Sequence, residues 1–182
     1  MPRWLKLATL SLLFMLAACS SRQLVPPEPL ELVLLPPAEI SRELLLKQKI
    51  TFESGDRRQQ FLVVARFQRQ RLKLVLLLPA GQPLLTLDYD GQNLVQENQS
   101  SVDLPGREIL ASMQFALWPE TSLTRHYPPE AGWQVEIAGQ DRSLLTASGV
   151  VLKIGRESEN LLLDNHLHDY RVIIQTLEQR EL

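Results

Sequence analysis

From Ser41 onward the chain alternates apolar and polar residues with period two over most of its length, the signature of half-buried β-strands. Leu46 to Phe52 opens the pattern, and Phe61, Val63, Ala65 and Phe67 then share one face with Arg66 and Gln68 on the other. Leu72, Leu74, Leu76 and Leu78 alternate with Arg71, Lys73, Val75 and Leu77. This strand starts amphipathic and ends apolar on both faces, which predicts that its far end is covered twice. Pro79-Ala80-Gly81-Gln82-Pro83 has turn composition, Leu84 to Tyr89 continues as strand, and Asp90-Gly91 is a hairpin signal leading into Leu94 to Gln96. Strands joined by such short turns pair antiparallel.

The period then changes. Between Pro105 and Trp118 the apolar residues Ile109, Met113, Ala116 and Leu117 lie at i, i+4, i+7 and i+8, which predicts one helical stripe facing the core. Pro105 suits the first turn, with Asp103 or Leu104 near the cap, and Pro119 ends the helix. Leu110, Phe115 and Trp118 extend the apolar surface beyond one stripe, so most of the circumference must be covered. Strands resume with Trp133, Val135 and Ile137, then one long strand from Leu144 to Ile154 in which Gly149 marks a bulge or bend. Leu161 to Leu163 and Tyr170 to Thr176 complete the pattern. The expected fold is mainly β (α+β): a curved antiparallel sheet or unclosed barrel with a helix plugging its concave face.

The N-terminus reads differently. A basic start (Arg3, Lys6), an apolar run from Leu7 to Leu16 and small residues at its end make residues 1–18 a secretory signal peptide, too short to span a bilayer. Leu16-Ala17-Ala18-Cys19 resembles the lipobox of bacterial lipoproteins, which implies cleavage before Cys19 and acylation of that cysteine, the only one in the chain. Two or more acyl chains give stable anchoring. Ser20, rather than an aspartate, follows the cysteine, and by resemblance to the enterobacterial sorting rule this implies the outer membrane. Residues 19–38 form the lipidated N-terminus and a Pro-rich tether carrying Pro26, Pro27, Pro29, Pro36 and Pro37. The tether proper is expected over Ser20 to Pro29. Leu30 to Leu35 is too apolar for free linker and is expected to dock on the domain or pair with a sheet edge. Residues 39–182 are left as a single domain.

The 182 residues carry a formal charge of −2, which becomes more negative when Arg3 and Lys6 leave with the signal. That balance offers no electrostatic footprint for nucleic acid and no polybasic membrane patch. His166 and His168 form an H-x-H pair beside Asp164 and Asp169, so a divalent metal is conceivable. The segment nevertheless reads as a polar turn in which both rings are solvated. Ser100, Ser101, Ser112, Ser122, Ser143 and Ser148 sit in no nucleophile elbow, and His126 lies in a proline-stopped loop, Thr124 to Pro129. No Gly-rich phosphate loop is present. The expectation is a protein that is not an enzyme and holds no metal or cofactor. What remains is apolar surface, and Phe67, Leu74, Leu76, Leu78, Ile109, Met113, Leu117, Trp118 and Trp133 are the candidate lining of a ligand cavity.

The lipobox, the tether, the strand-turn-strand from Arg71 to Gly81, and Leu104-Pro105 opening a helix that ends in Leu117-Trp118-Pro119 together resemble the LolB family of outer-membrane lipoprotein receptors. The chain is similar as well to a family of small bacterial lipoproteins often encoded with aryl-polyene and fatty-acid-type biosynthesis genes. The first resemblance implies an unclosed antiparallel barrel with helices in its mouth and acyl chains in its cavity. It also implies a periplasmic carrier protein as a possible partner. One position departs from it. Where the receptor family has a protruding leucine between proline and glycine for placing lipoproteins in the membrane, this chain has Ala80, whose methyl group inserts far less apolar area. The resemblance therefore implies a lipid-anchored periplasmic protein that binds or transfers an acylated or polyene lipid toward the outer membrane. The alternative is a structural or assembly lipoprotein that holds a partner complex at the membrane and carries no lipid.

Overall fold

The computed structural model describes residues 31–182, which form one packed unit. The signal segment, Cys19 and the tether Ser20 to Pro29 lie outside the described residues. Among the described residues no helix is long and apolar enough to cross a membrane.

Ten strands make a single antiparallel sheet: β1 (Leu44–Ser54), β2 (Arg57–Phe67), β3 (Leu72–Leu77), β4 (Pro83–Tyr89), β5 (Leu94–Asn98), β6 (Trp133–Ala138), β7 (Asp141–Thr146), β8 (Gly149–Glu157), β9 (Asn160–Asn165) and β10 (Tyr170–Glu181). Their spatial order is β5-β4-β3-β2-β1-β10-β9-β8-β7-β6, so two five-strand meanders meet along β1 and β10, and β5 and β6 are edges. The sheet is therefore not closed into a barrel. Two helices, α1 (Gly106–Leu117) and α2 (Glu120–His126), lie in the sequence between those two edge strands.

The sheet has to curl. Laid flat, ten strands at about 4.8 Å spacing would spread over roughly 43 Å, whereas a helix with its side chains is about 10–12 Å across. Yet α1 and the residue that ends it reach both flanks. Gly106 lies against Leu87 of β4 and Gln96 of β5, Trp118 stacks edge-on against Phe67 of β2, and Glu108 bonds to residues of β9 and β10. A Cβ on Gly106 would meet Gln96 Oε1 at 2.3 Å and Leu87 Cδ2 at 2.6 Å, so a larger residue here would have to push both side chains aside.

Several expectations are corrected in detail. The helix begins at Gly106 with Pro105 as its N-cap, not inside the first turn. The stripe Ile109, Met113, Ala116 and Leu117 is only half-buried, whereas Leu110, Ala111, Gln114 and Phe115 are fully buried, with Trp118 beyond them. Only Arg107 of the helix is exposed, so the circumference is covered as its composition requires. The long strand from Leu144 to Ile154 is instead a hairpin, β7 and β8, turning at Ala147-Ser148, with Gly149 at φ 123. The loop around His126 is the end of α2. Val75 and Leu77 are not fully covered by the described residues. They are half-buried sideways, in cross-strand pairs with Val64 and Leu62.

Residues 31–40 dock as a strap rather than adding a strand. Gln114 reads Leu35 from both sides, its Oε1 accepting the Leu35 N–H at 2.9 Å and its Nε2 donating to the Leu35 carbonyl at 2.6 Å. Tyr127 Oη does the same at Val33, accepting from N–H at 3.0 Å and donating to the carbonyl at 3.2 Å. Trp118 Nε1 donates to the Pro36 carbonyl at 3.0 Å. Burial, against the Val33 bonds, pushes the Tyr127 hydroxyl up to about 12. The strap thus satisfies its buried backbone through side chains of the helical segment, as burial requires.

Glu39 pins the end of the strap to α2 through Ser122, Arg125 (3.0 Å) and His126 (3.3 Å). Burial alone would raise its pKa, but the Ser122 and His126 bonds and the charges of His126 and Arg125 outweigh it and hold the carboxyl below its usual range. A depressed folded-state pKa means stability that is present at neutral pH and lost as pH falls through the glutamate range, about 4.3 and below. Urea midpoints measured from pH 7 to pH 3 should therefore fall, and Glu39→Gln should flatten that slope. An unchanged slope in the variant would show that the pin does not couple to folding.

Candidate functional site

The space between α1 and the sheet is the candidate site. The alternation of each strand decides which residues face it, because directly paired residues of antiparallel neighbours point the same way. One row across the inner face is Phe61, Ile50, Ile174 and Leu161, on β2, β1, β10 and β9. A second is Leu85, Leu76, Val63, Gln48 and Thr176, on β4, β3, β2, β1 and β10.

The expected cavity residues divide into two sets. Phe67, Leu74, Leu76, Trp118 and Trp133 are buried in the packed core. Leu78, Ile109, Met113 and Leu117 are half-buried. Sequence reading missed Ile50, Phe61, Leu161 and Val172, inner-face residues that are half-buried too. Their signal was present in the strand alternation, but that pattern does not distinguish packed inner positions from those left partly open.

Two polar side chains are buried here: Gln48 on the sheet, whose Oε1 has no partner, and Ser112 on α1, which lies by the Tyr170 hydroxyl. The two residues are 7% and 4% exposed. An amide oxygen buried without a partner costs about 1–3 kcal/mol, and leucine in the same place would avoid that cost. Gln48 also sits at a β-bulge. Lys47 pairs with Glu178 and Gln48 with Thr176, so Leu177 is an extra residue in β10. Bulges re-aim side chains and are over-represented beside functional sites.

At the N-terminal end of α1, Glu108 Oε1 accepts from Tyr170 Oη at 2.6 Å and Asn165 Nδ2 at 2.7 Å, and His168 Nε2 lies 3.1 Å from Glu108 Oε2. Burial, then the neighbouring Glu108, push the Tyr170 hydroxyl up, so it remains a donor. A carboxylate in the first turn also suits the helix dipole. His166 is exposed. Asn165 and Tyr170 of this cluster also line a surface cleft of about 340 Å³, together with Glu53, Asp164, His166, Asp169 and Arg171. Its main charges pair locally, Arg171 with Asp164 at 2.6 Å and Glu53 with Arg58 at 3.2 Å.

At the other end, Arg142 projects from the inner face of β7 and donates to the carbonyls of Phe115 (2.8 Å) and Trp118 (2.6 Å). These carbonyls are orphans of the helix C-terminus, where a cation is also favoured. Desolvation lowers the Arg142 pKa, and Glu120 works against that shift. The helix is thus bonded to the sheet near both ends, with the half-buried residues Ile109 and Met113 between.

These features define a class: an unclosed antiparallel sheet curled round a strapped-in helix, with half-buried apolar residues on both. Within it, the chain belongs to the family described as Protein of unknown function (DUF3261), whose model matches residues 45–178. Among solved structures, the chain is similar to the MucA/MucB complex of Pseudomonas aeruginosa at 12% identity and a TM-score of 0.36, covering 81% of this chain and 54% of that one. A crystal structure of MucB gives 11% identity and a TM-score of 0.33, covering 80% and 55%. The chain therefore spans just over half the length of these two. No curated protein matches it.

Proposed function

We propose that this is a lipid-anchored protein of the periplasm that shelters the apolar part of an acylated or polyene-bearing amphiphile between α1 and the sheet and passes it toward the outer membrane. The observation that carries this reading is the half-buried state of apolar residues on both walls, Ile109, Met113 and Leu117 on the helix and Ile50 and Phe61 on the sheet. Finished cores bury such side chains, each for about 1.5–3 kcal/mol. Leaving several partly wet on facing walls is the arrangement an apolar guest completes. The free edges β5 and β6 let the wall widen without breaking a ladder. Ala80, exposed in the β3–β4 turn, offers little apolar area to a bilayer, which favours carriage of a lipid over insertion of lipoproteins.

The test uses protein carrying Cys19→Ser, so that its own acyl chains are absent. Organic extraction and mass spectrometry should recover an amphiphile, and the stripped protein should take up a fluorescent fatty acid. Met113→Arg should weaken that uptake at least about fivefold, because a charge in an apolar interior is costly. A protein that purifies lipid-free and takes up no probe would sink the reading.

One observation favours the second reading, a lipoprotein that holds a partner. The outer face of the sheet carries half-buried apolar residues in two groups, Leu62, Val64, Val75 and Leu77 on β2 and β3 and Leu162 and Ile173 on β9 and β10, not fully covered by the described residues. Cross-linking in cells that retrieves one stoichiometric protein through these residues, from protein that holds no lipid, would establish that role instead.

A further inference from the structure

We infer that the interior is built for a chain bearing a hydroxyl group along its length, with Gln48 as the residue that recognises it. The inference rests on the lipid-sheltering reading above and deepens it by naming the class of cargo. Gln48 lies in the row Leu85, Leu76, Val63, Gln48 and Thr176, where its neighbours toward β4 are all apolar. Its Oε1 has no partner although the residue is 7% exposed. A resident water needs two to four polar partners. Thr176, the one other polar side chain in the row, is exposed, so in the buried part of the row Gln48 has only apolar neighbours. A plain alkyl chain would leave the amide as it is, unpaired. A hydroxyl both donates and accepts, so it satisfies the amide whichever way the group is turned.

One further observation points to the same place. The β10 bulge at Leu177 falls opposite Gln48, where it sets the angle of the wall. A polar group thus stands unpaired on an otherwise apolar stretch of wall, which suits a chain that is apolar with a polar interruption.

The experiment is competition binding on the full mature chain carrying Cys19→Ser, with a fluorescent fatty acid as the displaced probe. The competitors are hexadecanoic acid and its 3-, 9- and 12-hydroxy derivatives. At least one hydroxylated isomer should bind about tenfold tighter than the plain acid, the effect of one buried hydrogen bond that would otherwise go unmade. Gln48→Leu should invert the order, because the plain acid gains an apolar neighbour while the hydroxyl loses its partner. Gln48→Met serves as a second apolar replacement of similar length. If the plain and hydroxylated acids bind equally to the native chain, or if a preference for a hydroxylated acid survives in both variants, the inference is wrong while the lipid reading stands. If no acid displaces the probe, both are wrong.

Discussion

Replacing Trp118 by alanine should lower the free energy of unfolding by about 3–5 kcal/mol, the range for truncating a large buried aromatic. Few single changes in this chain should cost more. Trp118 is 0% exposed and its ring meets Phe67 edge-on, with centroids 5.9 Å apart. Its Nε1 donates to the Pro36 carbonyl, and its own carbonyl accepts from Arg142. One residue therefore joins strap, helix end, β2 and β7. Alanine leaves a cavity beside Phe67, a Pro36 carbonyl bonded only to the Glu39 N–H, and a slack strap. Domains of this size are stable by about 5–15 kcal/mol, so the loss is a large share of the total. Urea unfolding of the Cys19→Ser protein measures it, as a lower midpoint with an unchanged slope. An unfolding free energy within about 0.5 kcal/mol of the parent would mean that Trp118 is not the junction its contacts describe.

Gln114→Leu should cost about 2–4 kcal/mol although it replaces a polar residue by an apolar one in a core. The reason is what it leaves behind. The N–H and the carbonyl of Leu35, both now bonded to Gln114, would remain buried with no partner, at about 1–3 kcal/mol each. The chain can escape part of that cost only by lifting the strap into water. Hydrogen exchange separates these responses from simple cavity formation. The Leu35 amide should lose its protection and Val33 should follow, while amides of the β1–β10 ladder keep most of theirs. If Leu35 stays protected, the bidentate contact is not what holds the strap.

The strands and the principal helix were legible because their chemistry is local. Period-two alternation located nearly every strand, and Asp90-Gly91 marked a real hairpin, with Asp90 Oδ1 accepting from the amides of Gln92 and Asn93. The helix was found but its buried side was not. A helix apolar almost all round has no dominant stripe, and Gln114 looked like a solvent residue when it is the strap's clamp. The α2 helix escaped because seven residues with Leu123 as the one fully buried apolar side chain show no period. Its termini did carry signals, with Pro119 and Glu120 at the start and Arg125 and His126 at the end. The β7–β8 turn was lost because apolar residues continue through it on both sides. Gln48 was invisible for a deeper reason: a glutamine within a strand becomes informative only when its neighbours are known to offer it nothing.

The meeting of β1 and β10 in the middle of the sheet has a consequence for how the chain is made. Each five-strand meander forms from neighbours in sequence, so its hairpins close over short loops. The seam between the halves closes over nearly the whole domain, and contacts of that span slow folding. During synthesis β1 emerges first with its partner almost last, so a strand destined for the centre of the sheet waits as an open edge. Open edges pair with whatever strand arrives. Lys47 and Lys49, on the outer side of β1, put charge beside that waiting edge, which disfavours pairing with other chains until β10 closes the seam.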